Sequence, residues 1–392
     1  MNYKVPFIRP CYTRFWKSHK QEIRQAIEGC FDRGDLTLRK DVWDLEESIA
    51  NFVGTKYAVG VNSGTDALFL SLLALGIGKG DEVITVSNTF IATIQAIVHT
   101  GATPVLIDVN TDEQMNVFRL EDAITEHTKA VIPVHYTGAI VDMGFLMKVA
   151  KKYKLHVVED ACQALGATQD GKKAGSFGIL GCFSFNTAKL LGGLCDGGMV
   201  VTNDRNLYEK ICLLRNHWNV HQLSVDRNDY PQPKKMAWAW KSRLSNVNAA
   251  FLNIKFKYLP WMIRRRKEIA EKYIDAFKDL LVGKPENVDG RIWQEFHVRV
   301  KDRDKFAAFL KKKGIETLTR DVVPNHLMEG LKLSHFHLPV TEELARSVIR
   351  IPLHEYLTDI EIGHVIKSIK EYYAQRNKGF HKRTKTKAFF KK

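Results

Sequence analysis

The sequence predicts an α/β protein in which a large, mostly parallel sheet, covered by helices on both faces, is followed by a smaller α+β unit. Three observations carry this. Short runs of strand character (Tyr57–Val61, Glu82–Val86, Pro104–Val109, Ala130–Val134 and His156–Asp160) alternate with segments of helical spacing. Runs that can be buried on both faces, separated by helices, belong to parallel strands between two helical layers. Second, the polar groups Asn62–Thr65, Asp160 and Lys189 stand at or just past the ends of such runs, and ligands of open parallel sheets lie at the carboxyl ends of the strands. Third, the alternation is lost after Asp204, and from about residue 251 helices combine with one alternating strand.

In chain order, Ser18 to Phe31 spaces Ile23, Ile27, Cys30 and Phe31 as one helical face, with Gly34 as its stop. Asp41 to Phe52 fits a second helix. The strand Tyr57–Val61 runs through Asn62-Ser-Gly-Thr-Asp66 into a helix, Ala67 to Leu75. Helices are expected at Thr89 to Thr100, Leu120 to Glu126 and Asp142 to Tyr153, between the remaining strands. Cys182 to Phe185 and Met199 to Val201 read as two further strands. Asn206 to Arg215 is helical, and His217 to Met236 is a polar, proline-bearing loop. Long helices follow at Ser245 to Lys257 and Trp261 to Phe277. Trp293 to Val300 alternates as a strand, Lys305 to Lys313 is a helix, and Thr358 to Tyr373 is the last amphipathic helix. This divides the chain into a large domain (1–250), a small domain (251–375) and a basic tail (376–392), which is expected to be disordered.

A chain of 392 residues can bury a sizeable core. No apolar run reaches membrane-spanning length, and Met1–Pro10 lacks the apolar region of a signal peptide. Six scattered cysteines (11, 30, 162, 182, 195 and 212) read as free thiols, which points to the cytoplasm. A net charge of +15 is compatible with nucleic-acid binding, but residues 376–392 alone hold eight Lys/Arg and no Asp/Glu. A charge run of that kind reads as a solvated end rather than a binding face. No metal site is expected. His217 and His221 have helical spacing, yet neither a carboxylate nor a cysteine accompanies them.

The stretch from Gly181 to Val201 carries the most chemistry. Lys189 is the only charged residue between Gly178 and Cys195, and the chain then turns through four glycines. An ammonium group among apolar neighbours is disfavoured relative to the neutral amine. The neutral amine is the nucleophile that a Schiff base requires. The plainer alternative is a lysine that snorkels out at a strand end. Around Asn62–Asp66, a strand, a small polar turn and a helix aim free N–H groups and a helix dipole at one spot, which suits a phosphate. An ordinary helix cap would read the same way. Asp160 ends a buried strand, so its carboxylate needs a cation or hydrogen bonds; a pyridinium N–H would serve, and so would an arginine.

Taken together, Asn62-Ser-Gly-Thr-Asp-Ala-Leu68, Val158-Glu-Asp-Ala-Cys-Gln-Ala164, Ser184-Phe-Asn-Thr-Ala-Lys189 and Asp196-Gly-Gly198 resemble the DegT/DnrJ/EryC1/StrS sugar aminotransferases. The resemblance runs from about Pro6 to Tyr373 and includes Gly80-Asp-Glu-Val83, Thr89-Phe-Ile-Ala-Thr93 and Arg350-Ile-Pro-Leu-His354. It implies the aspartate aminotransferase-type fold (fold type I) and pyridoxal 5′-phosphate (PLP/PMP) as cofactor. By the same resemblance, Lys189 would bind PLP as its internal aldimine and then move the proton. Asp160 would pair with the pyridinium nitrogen, Gln163 with the ring hydroxyl, and Phe90 would stack on the ring. Gly64, Thr65 and Ser184 would hold the phosphate.

The expected reaction transfers an amino group, with L-glutamate as donor, to a nucleotide-linked 3- or 4-keto-6-deoxyhexose. Its product belongs to amino-sugar biosynthesis of the lipopolysaccharide O-antigen kind. One alternative is a PLP/PMP-dependent sugar dehydratase, but relatives of that type carry His in place of the lysine. Another is a non-catalytic regulatory protein with a vestigial PLP site. The chain departs from the family pattern at Cys162, Asn186, Cys195 and Lys241. The resemblance further implies that the loop carrying Lys241 reaches the neighbouring subunit's site, and hence a homodimer with shared active sites.

Overall fold

A computed structural model of the chain describes residues 3–218, 237–280, 289–319 and 322–388, with side chains through Arg376. His221, most of the 217–236 loop and residues 389–392 therefore lie outside the described residues.

Two helices, α1 (Arg9–Asp32) and α2 (Lys40–Val53), precede the sheet. The alternating part follows as β1 (Tyr57–Val61), α3 (Gly64–Ala74), β2 (Glu82–Val86), α4 (Ala92–His99), β3 (Thr103–Ile107), β4 (Thr128–Val131), α5 (Met143–Tyr153) and β5 (His156–Asp160). A two-residue hairpin, β6 (Thr168–Gln169) with β7 (Lys172–Lys173), leads to β8 (Leu180–Ser184), β9 (Gly198–Thr202) and α6 (Arg205–Leu214). The rest comprises α7 (Asn246–Lys257), α8 (Leu259–Phe277), β10 (Phe296–Arg299), α9 (Arg303–Lys312), α10 (Pro339–Ser347), β11 (Val348–Ile351) and α11 (Asp359–Ala388).

Seven strands form one sheet in the order β1-β9-β8-β5-β4-β2-β3. Strand β9 runs antiparallel to both its neighbours, and every other pairing is parallel. The register aligns Val61 with Gly198 and Gly198 with Ser184, while Asp160 pairs with Cys182 two residues before it. The carboxyl ends of β1, β8 and β5 thus meet along one edge, as the α/β reading requires.

Two expectations came out differently, and strand β11 and helix α10 were not expected at all. The helix expected over Leu120 to Glu126 is a pair of 3₁₀ turns, Val117–Arg119 and Glu121–Ala123. Only Val117 and Leu120 are buried there, and a spacing of three suits the tighter helix. Strand β11, which pairs antiparallel with β10, and helix α10 had too few residues to stand out as patterns. Finally, the segment expected to be a disordered tail continues α11 as helix to Ala388. It contains no proline, and its many Lys and Arg are good helix formers.

Two of the clusters of buried side chains bear on the division of the chain, a large one around the sheet and another under α8, β10, α9, β11 and α11. Helix α8 serves both: Leu259 and Met262 belong to the first, Ile269, Tyr273 and Phe277 to the second. The packing therefore changes over inside α8, whereas a boundary at residues 250/251 falls within α7, which packs on α1 and α2. No helix of the described residues is long and apolar enough to cross a membrane.

Candidate active site

Helix α3 begins where β1 ends. Ser63 caps it, its Oγ accepting the Asp66 N–H at 3.0 Å, and the amides of Gly64 and Thr65 fall in the first turn, where a helix supplies no acceptor. A Cβ at Gly64 would lie 2.8 Å from Ser184 Cβ and 2.9 Å from Cys162 Sγ, so the turn closes directly on the end of β8. At Gly198 a Cβ would lie 2.2 Å from the Ser63 carbonyl oxygen. Only glycine permits either approach. The result is a backbone cradle at a helix N-terminus, flanked by the Ser184 hydroxyl, with the chemistry of an anion site.

Lys189 stands half-buried in the turn after β8. Several bonds fix that turn. The Lys189 N–H donates to the Asn186 carbonyl at 2.8 Å, and Asn186 Oδ1 accepts the Ala188 N–H at 3.1 Å. Asn186 Nδ2 donates to Asp196 at 2.7 Å, which joins the lysine turn to the glycine-rich return. The family departure at Asn186 thus ties the turn together locally. Asn248 holds the return from the other side, accepting the Leu194 N–H at 2.8 Å and donating to the Asp196 carbonyl at 3.0 Å. The buried Lys255 donates to the Gly192 carbonyl at 3.0 Å.

Asp160 is buried at the end of β5. Its Oδ2 accepts the Thr93 hydroxyl at 2.7 Å, and Oδ1 accepts the Cys162 N–H at 3.2 Å. Neither donor is a cation, and among the described residues no Lys, Arg or His forms an ion pair with Asp160. A buried carboxylate in that state suits a cationic ligand group. Cys162 feels both Asp160 and Lys189: burial raises its thiol pKa well above the usual value, Asp160 adds to the shift, and Lys189 opposes it. It is a neutral thiol beside the lysine and the carboxylate. Gln163 is buried; its Oε1 accepts the Thr137 N–H at 3.0 Å, and its amide NH2 has no partner among the described residues.

The structure therefore brings Gly64, Thr65, Ser184, Asp160, Gln163 and Lys189 to one edge of the sheet. Phe90 is exposed and lies one turn before Thr93, the residue bonded to Asp160. Lys241 stands apart. It is exposed, bridges to Asn216, and makes no hydrogen bond or ion pair with the other residues named here. The next residue, Ser242, donates to Asp66 of its own chain at 2.7 Å. Sequence reasoning missed Thr93, although a hydroxyl four residues after Thr89 in the Thr89–Thr93 block was there to be read. It also missed Glu159, whose fully buried carboxylate accepts the N–H groups of Gly175, Phe177 and Gly178 and a bond from His135. Glu159 fixes the loop that leads into β8.

With this geometry in place, comparison with known proteins assigns the class. Residues 17–370 match the DegT/DnrJ/EryC1/StrS aminotransferase family, and the chain belongs to that family. It is 36% identical over 359 residues to the dTDP-3-amino-3,6-dideoxy-alpha-D-galactopyranose transaminase of Aneurinibacillus thermoaerophilus, covering 90% of this chain and 96% of that one. Its fold superposes on DesV of S. venezuelae, solved with a ketimine intermediate, with a TM-score of 0.86 and 34% identity, covering 95% and 98% of the two chains. It also superposes on NtdA of Bacillus subtilis, solved with bound cofactor PMP, with a TM-score of 0.85 and 27% identity over 95% and 85%. The architecture is that of the fold type I aminotransferases.

Proposed function

We propose that this chain is a PLP-dependent aminotransferase that moves an amino group from L-glutamate to a nucleotide-linked 3- or 4-keto-6-deoxyhexose. The observation that carries the reading is the meeting of an anion cradle (Gly64, Thr65, Ser184), a buried carboxylate without a cationic partner (Asp160) and a tethered lysine (Lys189) at the carboxyl edge of one sheet. These groups fit a phosphate, a pyridinium nitrogen and an aldehyde. Bound there, pyridoxal phosphate would supply the electron sink that lets an amino acid give up its α-proton.

Each residue then has one task. The Gly64 and Thr65 amides and the Ser184 hydroxyl would hold the phosphate. The Asp160 carboxylate would keep the ring nitrogen protonated, the Gln163 amide would donate to the ring hydroxyl, and Phe90 would pack against the ring. Lys189 would be the covalent attachment point, and its amine, once free, would carry the proton. The name of the Aneurinibacillus relative, a transaminase of a 3-amino-3,6-dideoxyhexose on dTDP, supports a nucleotide-linked sugar as acceptor. The test is incubation with L-glutamate and a panel of nucleotide-linked keto-sugars, followed by mass spectrometry. An amino-sugar nucleotide formed only when donor and acceptor are both present supports the reading. Transamination confined to free amino and keto acids would reject the sugar assignment.

The same proposal includes a homodimer. Exposed Tyr12, Trp16 and Leu194 share one cavity of about 350 Å³ with Thr187 and Gly193, beside the lysine turn. Exposed aromatic and aliphatic side chains grouped in this way mark interaction surfaces. In such a dimer the Lys241 ammonium would meet the phosphate of the partner's cofactor. Lys241→Ala is then expected to weaken PLP retention by roughly 1.5–3 kcal/mol, the range of a hydrogen bond to a charged group. Equilibrium dialysis measures it, and equal affinity in two equally dimeric proteins would take Lys241 out of the site.

Deleting residues 377–392 spares the ion pair of Arg376 with Asp302 at 2.6 Å. It is expected to leave kcat and KM unchanged, and a rise in KM for the sugar nucleotide would show the basic segment helping to bind anionic substrate.

A further inference from the structure

The stretch Arg291–Gln294 is tied to two parts of the site at once. Gln294 is 7% exposed, and its side-chain amide brackets Lys189. Oε1 accepts the Leu190 N–H at 3.0 Å, and Nε2 donates to the Ala188 carbonyl at 3.1 Å. A primary amide donates and accepts in one plane, so these two bonds fix the orientation of the peptide groups on either side of Lys189. The backbone of Gln294 points the other way: its N–H donates to the Thr137 carbonyl at 3.1 Å, beside the bond from Ile292 N–H to the Gly138 carbonyl. The Thr137 N–H in turn donates to Gln163 Oε1. One short path of hydrogen bonds therefore runs from the lysine turn to the side chain expected to face the ring hydroxyl.

This path is built from strained backbone. Thr137 has φ 55° and Trp293 φ 54°, both in the left-handed region that β-branched and bulky residues avoid. Such conformations persist only where surrounding bonds over-determine them, and they gather at functional sites. The bonds are present. The Arg291 guanidinium donates to Thr137 Oγ1 at 2.5 Å. Arg266 donates to the Gln294 carbonyl at 2.9 Å and is itself paired with the buried Glu355 at 2.9 Å.

We propose that Gln294 is a positioning residue that sets the amine of Lys189 relative to Gln163. This rests on the reading of Lys189 as the covalent attachment point. Gln294 touches no reacting atom; it acts by holding both peptide bonds of the lysine at fixed orientation. Asn at this position would fall one methylene short. Leu fills the same space without either bond, and Glu keeps the acceptor for Leu190 N–H but cannot donate to the Ala188 carbonyl.

The test uses the full-length wild type, Gln294→Leu and Gln294→Glu. The first measurement is hydrogen exchange across residues 186–193 in cofactor-free protein. The second is the rate at which saturating PLP becomes reducible onto Lys189 by borohydride, followed by peptide mass. Gln294→Leu is expected to exchange at least tenfold faster at Leu190 and to attach PLP at least tenfold more slowly. Gln294→Glu should fall between it and wild type. A lower melting temperature alone is what a merely structural residue would produce, so attachment at the wild-type rate in folded Gln294→Leu overturns the proposal. If Gln294→Leu does not fold, Gln294→Glu is judged by the same rate, and failure of both to fold also overturns it. Wild-type attachment at a residue other than Lys189 would instead remove the functional reading on which the proposal stands.

Discussion

Lys189→Ala is expected to reduce turnover to a trace while leaving the fold intact. The bonds named above that shape the turn come from the Lys189 backbone, Asn186 and Gln294, none uses the Lys189 side chain, and alanine keeps them all. What is lost is the only amine among the site residues named above that stands in the turn closing on the anion cradle. Removing the proton-transfer group alone costs about 10²–10⁴-fold in rate, and loss of the covalent attachment adds to that. The variant should still retain PLP or PMP through the phosphate cradle. Steady-state assay with glutamate and a keto-sugar nucleotide checks it, and turnover above roughly a hundredth of wild type would place the nucleophile elsewhere.

Asp160→Asn should fold and yet lose most of its activity. The asparagine carbonyl can take over the Cys162 N–H, and its amide can donate to the Thr93 hydroxyl, so the buried pocket stays satisfied. A neutral amide cannot keep a ring nitrogen protonated, because the opposite charge that favours the protonated form is gone. The expected loss is about 10²–10³-fold in kcat, the size found when a preorganised electrostatic group is taken from a developing charge. Single-turnover measurement of the glutamate half-reaction reads it without interference from sugar binding. An unchanged rate with PLP bound would show that Asp160 does not serve the ring nitrogen.

These two residues were legible in the sequence for a physical reason: each is a charged group in a place where burial would otherwise forbid one. Asp160 ends a strand whose bounds the structure reproduces, as it does those of Tyr57–Val61 and Glu82–Val86. Strands apolar on both faces announce themselves. What escaped was contact between distant segments. Thr93 reaches Asp160 across 67 positions, and Gln294 reaches Ala188 across 106; Thr93 stood in a readable block, but nothing local to either residue names its distant partner. Glu159 escaped because it follows Val157-Val158 in an apolar strand and is satisfied by a loop that returns to it 16 to 19 residues later. The final helix outran its expected end because the basic segment lacks an apolar face but keeps good helix formers.

The central claim, that this edge of the sheet holds PLP on Lys189 and passes an amino group through it, is tested most directly by absorbance. The PLP-loaded protein is titrated with L-glutamate and then with a nucleotide-linked keto-sugar. The account predicts a visible absorption band that glutamate bleaches with release of one 2-oxoglutarate per subunit, and that the keto-sugar restores. A protein that develops no such band, or whose band persists unchanged through glutamate and every other amino donor, would contradict it.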